Sequence, residues 1–370
     1  MKTHTTLLTP FLLGSALLFA GCQATPNHSA HSSEQSVQKI STPQEGTKKS
    51  PPPSENKPYL EQPAVPLKHA YDFHVVETAT EQQKNVPQLA QSLKEFDVIF
   101  IGEEHSNHAS HLFQMELLAE LYQLRPEQIL SLEMFNRDQQ EKLNRYLDGE
   151  VGEIYLVYKT PTWSNYIASY RPLVEHAKQN FIPVIAANAS SDIVRCIGRE
   201  GKPYLSKLSE EESSHIAKEP FLDDPAYRER YMEFVEKVRK LSKEGKEKSY
   251  LAQLTRDNTM AESIYQTWLE HPEAQIIHLN GSFHSDFYLG TVSALKARAP
   301  DLKIAVIAPI TVENNQNPSY SDEDLTRGQY IYLIPEQPEQ YVDRSYRQKN
   351  HQAMFAKASQ KQCRPDETTE

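Results

Sequence analysis

Four short stretches of this chain carry side chains suited to acid–base or ligand chemistry, and each directly follows an apolar run. They are Gly102-Glu103-Glu104-His105 after 97–101, Glu133 after 129–132, Asn188 after 184–187, and Gly281-Ser282-Phe283-His284 after 275–279. Imidazole offers a neutral nitrogen donor, while a carboxylate supplies charge and accepts a proton. The pair therefore suits a divalent metal or general acid–base catalysis. Glu103, His105, Glu133 and His284 are the candidate catalytic residues, and Glu103, His105 and His284 the candidate metal ligands. One Glu after a strand is commonly a helix cap or an ion-pair partner, so it is their joint placement that points to a site. His108 and His111, three residues apart, read as polar positions of a following helix. There is no His-Glu-x-x-His, Gly-x-Ser-x-Gly, P-loop or Gly-x-Gly-x-x-Gly, so zincin, serine-hydrolase and nucleotide-binding chemistry lose their usual signatures.

These residues converge only if the apolar runs lie side by side. Stretches 97–101, 129–132, 184–187, 275–279, 304–307 and 330–334 are nearly continuously apolar, as strands covered on both faces require. Between them, 108–124, 137–147, 165–179, 225–243 and 249–270 place Leu, Ile, Met, Phe and Tyr at helical spacing. This alternation predicts an α/β fold: one domain with a mostly parallel central sheet flanked by helices, plus a charged helical insertion over about 205–249. In such a sheet ligands bind outside the carboxyl ends of the strands, where the four stretches fall.

The ends of the chain read differently. Lys2, the apolar run 12–19 and Ala20-Gly21 have the parts of a secretory signal over 1–21, and Cys22 directly after Ala-Gly resembles the acylation site of bacterial lipoproteins. Gln23, by analogy with Gram-negative lipoproteins, favours the outer membrane. Residues 23–67 hold eight of the 24 prolines among Ser, Gln, Lys and Glu, a composition that makes 22–67 a solvated tether. The expected domain is 68–342, followed by a polar tail over 343–370. Cys196 and Cys363 are too few for a disulfide framework or a cysteine zinc site, and are expected to stay apart. With 39 basic and 50 acidic residues, net −11, there is no sequence-wide basic field for nucleic acid.

Ile-Gly-Glu-Glu-His at 101–105, Glu-Met-Phe at 133–135, Trp163 with Tyr166, Tyr170-Arg171-Pro172, Ala187-Asn188-Ala189, Arg256-Asp257-Asn258-Thr259-Met260-Ala261, Gly281-x-x-His284 and Arg327-Gly328-x-Tyr330 resemble, in order over about 75–335, the ChaN family of haem-binding lipoproteins. That family is similar to the wider Tiki, TraB and erythromycin-esterase group. The resemblance implies haem bound at a homodimer interface, two haems face to face, with a tyrosine on each iron. Phenolate is a hard donor suited to ferric haem. Among 19 tyrosines, Tyr170 follows Trp163 and Tyr166 at helical spacing, while Tyr227 and Tyr231 lie four apart in the insertion, suited to a dimer contact. The expected function is thus a haem-binding outer-membrane lipoprotein of haem and iron uptake. The alternative is a metal-dependent hydrolase, protease or esterase, at the Glu/His pocket. If Cys22 carries the anchor, Cys22→Ala releases the chain to the soluble periplasmic fraction or leaves an uncleaved precursor. Unchanged membrane recovery, with no radiolabelled palmitate on the wild type, contradicts it.

Overall fold

The computed structural model describes residues 65–160, 162–218, 221–238 and 240–363. The signal segment, Cys22 and nearly all of the expected tether lie outside them. In chain order the elements are β1 (His74–Glu77), β2 (Gln82–Lys84), α1 (Val86–Leu93), β3 (Val98–Glu103), α2 (His108–Leu124), β4 (Gln128–Asn136), α3 (Gln140–Leu147), α4 (Glu153–Lys159), α5 (Arg171–Gln179), β5 (Val184–Asn188) and α6 (Ser191–Glu200). There follow α7 (Glu210–Ser214), α8 (Pro225–Val238), α9 (Lys243–Glu270), β6 (Gln275–Gly281), α10 (Thr291–Arg298), β7 (Ile304–Val312), β8 (Tyr330–Pro335) and α11 (Arg344–Ser359).

The sheet order is β2-β1-β8-β7-β3-β6-β4-β5, and the six apolar runs form its parallel part. Two strands the sequence reading missed, β1 and β2, add antiparallel at the β8 edge. Both are short, and β2 is Gln-Gln-Lys, without an apolar signal. Side chains alternate across a strand. Ile99 and Ile101 of β3 therefore join Leu130, Leu132, Ile277 and Leu279 in the cluster under α1, α2, α3 and α5. Val98, Phe100, Ile276 and Val306 face the other way, onto α9 and α10. The same alternation puts Glu103 on the α2 side of the sheet, at the strand's end.

Several elements depart from expectation. Helix 165–179 opens with a π turn over Tyr166–Tyr170 before α5, and the stretch expected from 249 begins at Lys243 as a 28-residue helix. The insertion is helical as expected, but its aromatic face is inside: Tyr227, Tyr231 and Val235 pack with Tyr250 and Leu254, and against Phe283. The dimer contact expected of Tyr227 and Tyr231 is therefore corrected, since both rings are buried within one chain. The polar tail contains α11, and Cys196 and Cys363 are paired as a disulfide with Cα atoms 5.3 Å apart. A bridge across 167 residues leaves no local trace in the sequence. Among the described residues no helix is long and apolar enough to cross a membrane.

Leu279 on central β6 is fully buried between β3 and β4. Leu279→Ala is expected to lower unfolding free energy by about 2–5 kcal/mol, read from urea midpoints at unchanged m. A loss within experimental error would show that the α2-side core can collapse around the deletion.

Candidate functional site

The carboxyl end of β3 turns sharply into α2. Ser106 takes a left-handed φ of 68°, and Asn107 caps the helix by accepting from the Ala109 and Ser110 amides. This turn leaves Glu103 buried beneath His105. The Glu103 Oε1 accepts from Tyr170 OH at 2.6 Å and pairs with His105 Nδ1 at 2.8 Å. Its Oε2 accepts from Gln114 Nε2 at 2.9 Å and lies 3.6 Å from His111 Nδ1. Burial would raise the Glu103 pKa, but His111, His105 and Tyr170 outweigh it and hold the carboxyl below its ordinary value. The role given to His111 as a plain polar helix position is corrected: it is buried beside Glu103 and edge-on to Tyr170. His108 instead stacks on exposed Tyr71.

The second half of the site faces α9. Glu133 Oε2 accepts from the Gly281 amide at 2.6 Å, and Glu133 Oε1 lies 3.4 Å from His284 Nε2. His284 Nδ1 meets Asp257 Oδ1 at 2.7 Å. Tyr227 OH donates to Asp257 Oδ2 at 2.7 Å, and Thr291 Oγ1 donates to its Oδ1 at 2.9 Å. Burial alone would lower the His284 pKa, but the Glu133 and Asp257 carboxylates push it up to about 10. Burial would likewise raise Glu133, yet His284 and His105 hold it far below the usual carboxylate range. His278, buried one layer beneath beside Ser131, is pushed down to about 3 by burial and is neutral. Asn188, the last residue of β5, ties the floor by donating to the Glu133 carbonyl at 3.0 Å.

His105 joins the halves. A Cβ on Gly281 would lie 2.6 Å from His105 Nε2, so only glycine lets that imidazole lie across the β6 end. Trp163 stands edge-on to His105, ring centres 4.9 Å apart, and walls the α5 side. On the other rim, Phe287 and Tyr288 hold left-handed φ of 62° and 61°, an unfavourable conformation for side chains of this size. The Phe287 amide donates to the Arg327 carbonyl, while the Arg327 guanidinium grips buried Asp286, which locks the loop.

The structure thus gathers Glu103, His105, Glu133 and His284 at one end of the sheet. It does not bring Glu103, His105 and His284 onto one metal centre, which corrects that expectation. Both Glu103 oxygens and both nitrogens of His284 face protein partners, and among the described residues no group of three or more His, Cys, Asp or Glu is placed to hold a metal. Nor do the three candidate haem tyrosines reach the surface. Tyr170 is wholly buried on Glu103, its pKa raised well above the ordinary value by burial and that carboxylate; Tyr227 serves Asp257, and Tyr231 meets Ser249 at 2.6 Å. Asp257, Gln114 and Tyr170 as a Glu103 partner are site residues the sequence reading missed. The buried polar run Asp257-Asn258-Thr259 in mid-helix was a usable signal for the first.

His284 lends stability that is complete below its unfolded value near 6.5 and is lost as pH rises through about 10. Glu103 and Glu133, with lowered values, lend stability present above about 4.5 and lost as pH falls. Unfolding free energy should therefore decline from near neutrality toward pH 10, and Glu133→Gln should move that decline to lower pH by removing one of the two carboxylates. A wild-type profile flat across this window, measured by urea melts, would exclude the charge arrangement.

Residues 89–295, more than half the chain, match the family described as haem-binding uptake, Tiki superfamily, ChaN. Among solved structures, ChaN of Campylobacter jejuni, described with cofacial haem binding, is similar at 17% identity with a TM-score of 0.54, covering 73% of this chain and 100% of that one. An erythromycin esterase, EreC, in its open conformation is similar at 11% identity with a TM-score of 0.44, covering 73% of this chain and 99% of that one. No curated protein matches. With a mostly parallel sheet and this family match over 89–295, the chain belongs to the ChaN family of haem-binding uptake proteins in the Tiki superfamily.

Proposed function

We infer that this chain binds haem on the exposed face of α4 and the π turn, as a protein of haem uptake held at the outer membrane through a lipid on Cys22. The carrying observation is an exposed apolar face of α4 with a free phenol: Tyr158 is 79% exposed and Ile154, one helical turn before it, 72%, while Ile167 of the π turn that follows is 52% exposed. A porphyrin needs apolar surface for its faces and a hard donor for ferric iron, and this strip offers both. Tyr170, Tyr227 and Tyr231 do not fit that task, because ligation would require breaking hydrogen bonds to Glu103, Asp257 and Ser249. Tyr158 replaces them as the proposed ligand. The Campylobacter relative is described with cofacial haem; by the same arrangement, two copies of this chain would cover the outer faces of a haem pair and form a homodimer on binding. The Cys196–Cys363 bridge supports export to an oxidising compartment.

Hydrolysis at the strand ends is a second function, favoured by the posture of His105. Glu103 holds its Nδ1, the imidazole side chain is 24% exposed, and Glu103 raises its pKa against the lowering effect of burial. Such a histidine is suited to take a proton from water, a step assigned to no metal ion.

Hemin titration of the full chain separates the two. Tyr158→Phe should remove the tyrosinate charge-transfer band and weaken binding by about tenfold or more (~1.4 kcal/mol), while Tyr170→Phe keeps the band. In sedimentation, hemin should shift wild type toward dimer. An unchanged spectrum in Tyr158→Phe would remove Tyr158 from the account. His105→Ala should leave the hemin spectrum intact; if an activated ester is hydrolysed by wild type and equally by His105→Ala, the pocket is not its site.

A further inference from the structure

The C-terminal segment begins and ends at the site it follows. After β8, the Pro335 carbonyl accepts from Asn107 Nδ2 at 3.0 Å, and Gln337 Nε2 donates to the His105 carbonyl at 2.9 Å. Both contacts are to the turn that carries His105, at the carboxyl end of β3. The far end of the segment is fixed beyond the opposite edge, on α6, which leaves the carboxyl end of β5. There Cys363 is bonded to buried Cys196, its carbonyl accepts from Tyr204 OH at 2.8 Å, and Arg199 Nη1 donates to the Lys361 carbonyl at 2.5 Å.

Between these feet lie the ends of β3, β6, β4 and β5, which carry Glu103, His284, Glu133 and Asn188. Three strand intervals amount to about 14 Å, and the 16 residues of α11 reach about 24 Å. The helix is therefore long enough to cross the whole site mouth. Tyr341 rests on Tyr346 and His351, Asn350 donates to the Tyr341 hydroxyl, and Val342 and Tyr346 are 87% and 64% exposed, so these contacts run within the segment. This helix is not packed into the core. It also carries Arg344, Arg347, Lys349 and Lys357 with no acidic residue, a charge opposite to that of Glu103, Glu104, Glu133, Asp257 and Asp286 at the strand ends. Attraction of that kind is screened within about 10 Å at 0.1 M salt, so the covalent foot is what keeps the helix in place.

We propose that residues 336–363 are a redox-dependent strap across the mouth of the Glu/His pocket, fastened by the Cys196–Cys363 disulfide and released when that bond is reduced. A dithiol reductant supplies two electrons and two protons: one of its thiolates attacks a disulfide sulfur, the S–S bond breaks, Cys196 and Cys363 become thiols, and the reductant becomes a disulfide. Freed of the covalent bond, the segment is left at that end with non-covalent contacts such as Tyr204 to the Cys363 carbonyl, Arg199 to the Lys361 carbonyl and Lys361 to Asp192, and it swings clear when these open. The inference concerns access to the pocket and stands independently of where haem binds.

Trp163 reports the outcome, because its ring stands against His105 beside the first foot. In the full chain, reduction by dithiothreitol, with two additional thiols counted by Ellman's reagent, should raise the acrylamide quenching constant by about twofold, as local opening of a cover requires. Cys363→Ser should reproduce the rise without reductant, and Trp163→Phe should abolish the reduction-dependent part. Far-ultraviolet circular dichroism should stay unchanged throughout. Quenching that is unaffected in both the reduced protein and Cys363→Ser overturns the strap. Loss of the domain's circular dichroism in both also overturns it, by making the disulfide a requirement of the fold.

Discussion

Buried carboxylate charge at the strand ends is the constraint on which the rest of this structure depends. Glu103, Glu133 and Asp257 are each almost fully removed from water, and an unpaired carboxylate in such a place costs several kcal/mol even after relaxation. The chain meets that cost with histidines and hydroxyls supplied from different elements. His105, His111, Gln114 and Tyr170 surround Glu103 from β3, α2 and the π turn; His284 and the Gly281 amide serve Glu133; Tyr227 and Thr291 secure Asp257 from α8 and α10. These partners come from several elements, so the charges are fully met only when those elements assemble together.

That requirement accounts for features that sheet packing alone leaves unexplained. The aromatic side of the insertion turns inward because Tyr227 must reach Asp257, and α9 tolerates a buried polar run because Asp257 lies within it. Gly290, at φ 59°, sits where a Cβ would meet the His284 carbonyl at 2.7 Å, so the loop after β6 closes over the imidazole only with glycine there. Phe287 and Tyr288 are held in left-handed conformations by the Arg327–Asp286 clamp on the same loop. An array in which the charges already satisfy one another has little capacity left for a divalent ion, and it removes Tyr170 and Tyr227 from the pool of iron ligands. This supports placing haem on the outer strip of α4.

Much of the fold was legible because β3, β4, β5, β6, β7 and β8 are apolar on both faces, and the reactive residues that follow the apolar runs of four of them lie where a parallel sheet presents ligands. β1 and β2 were not, being short and partly polar at an edge. Helical spacing identified the aromatic faces around Tyr170 and Tyr227 without saying which side would meet the core, since periodicity does not encode what a helix packs against. His111 passed for a surface residue because its partner, Glu103, lies across a turn whose shape depends on Ser106. The disulfide joins residues 167 apart, a proximity that only the completed chain path creates.

The central claim is that His284 is a buried imidazolium clasped between Glu133 and Asp257. Nitrogen-15 NMR of ring-labelled protein, with His284 assigned by His284→Gln, reads the two ring nitrogens directly. Both are expected to remain protonated at about pH 8, well above the ordinary histidine value of about 6.5. One bare nitrogen at that pH would contradict it, and with it the charge pairing that organises the strand ends.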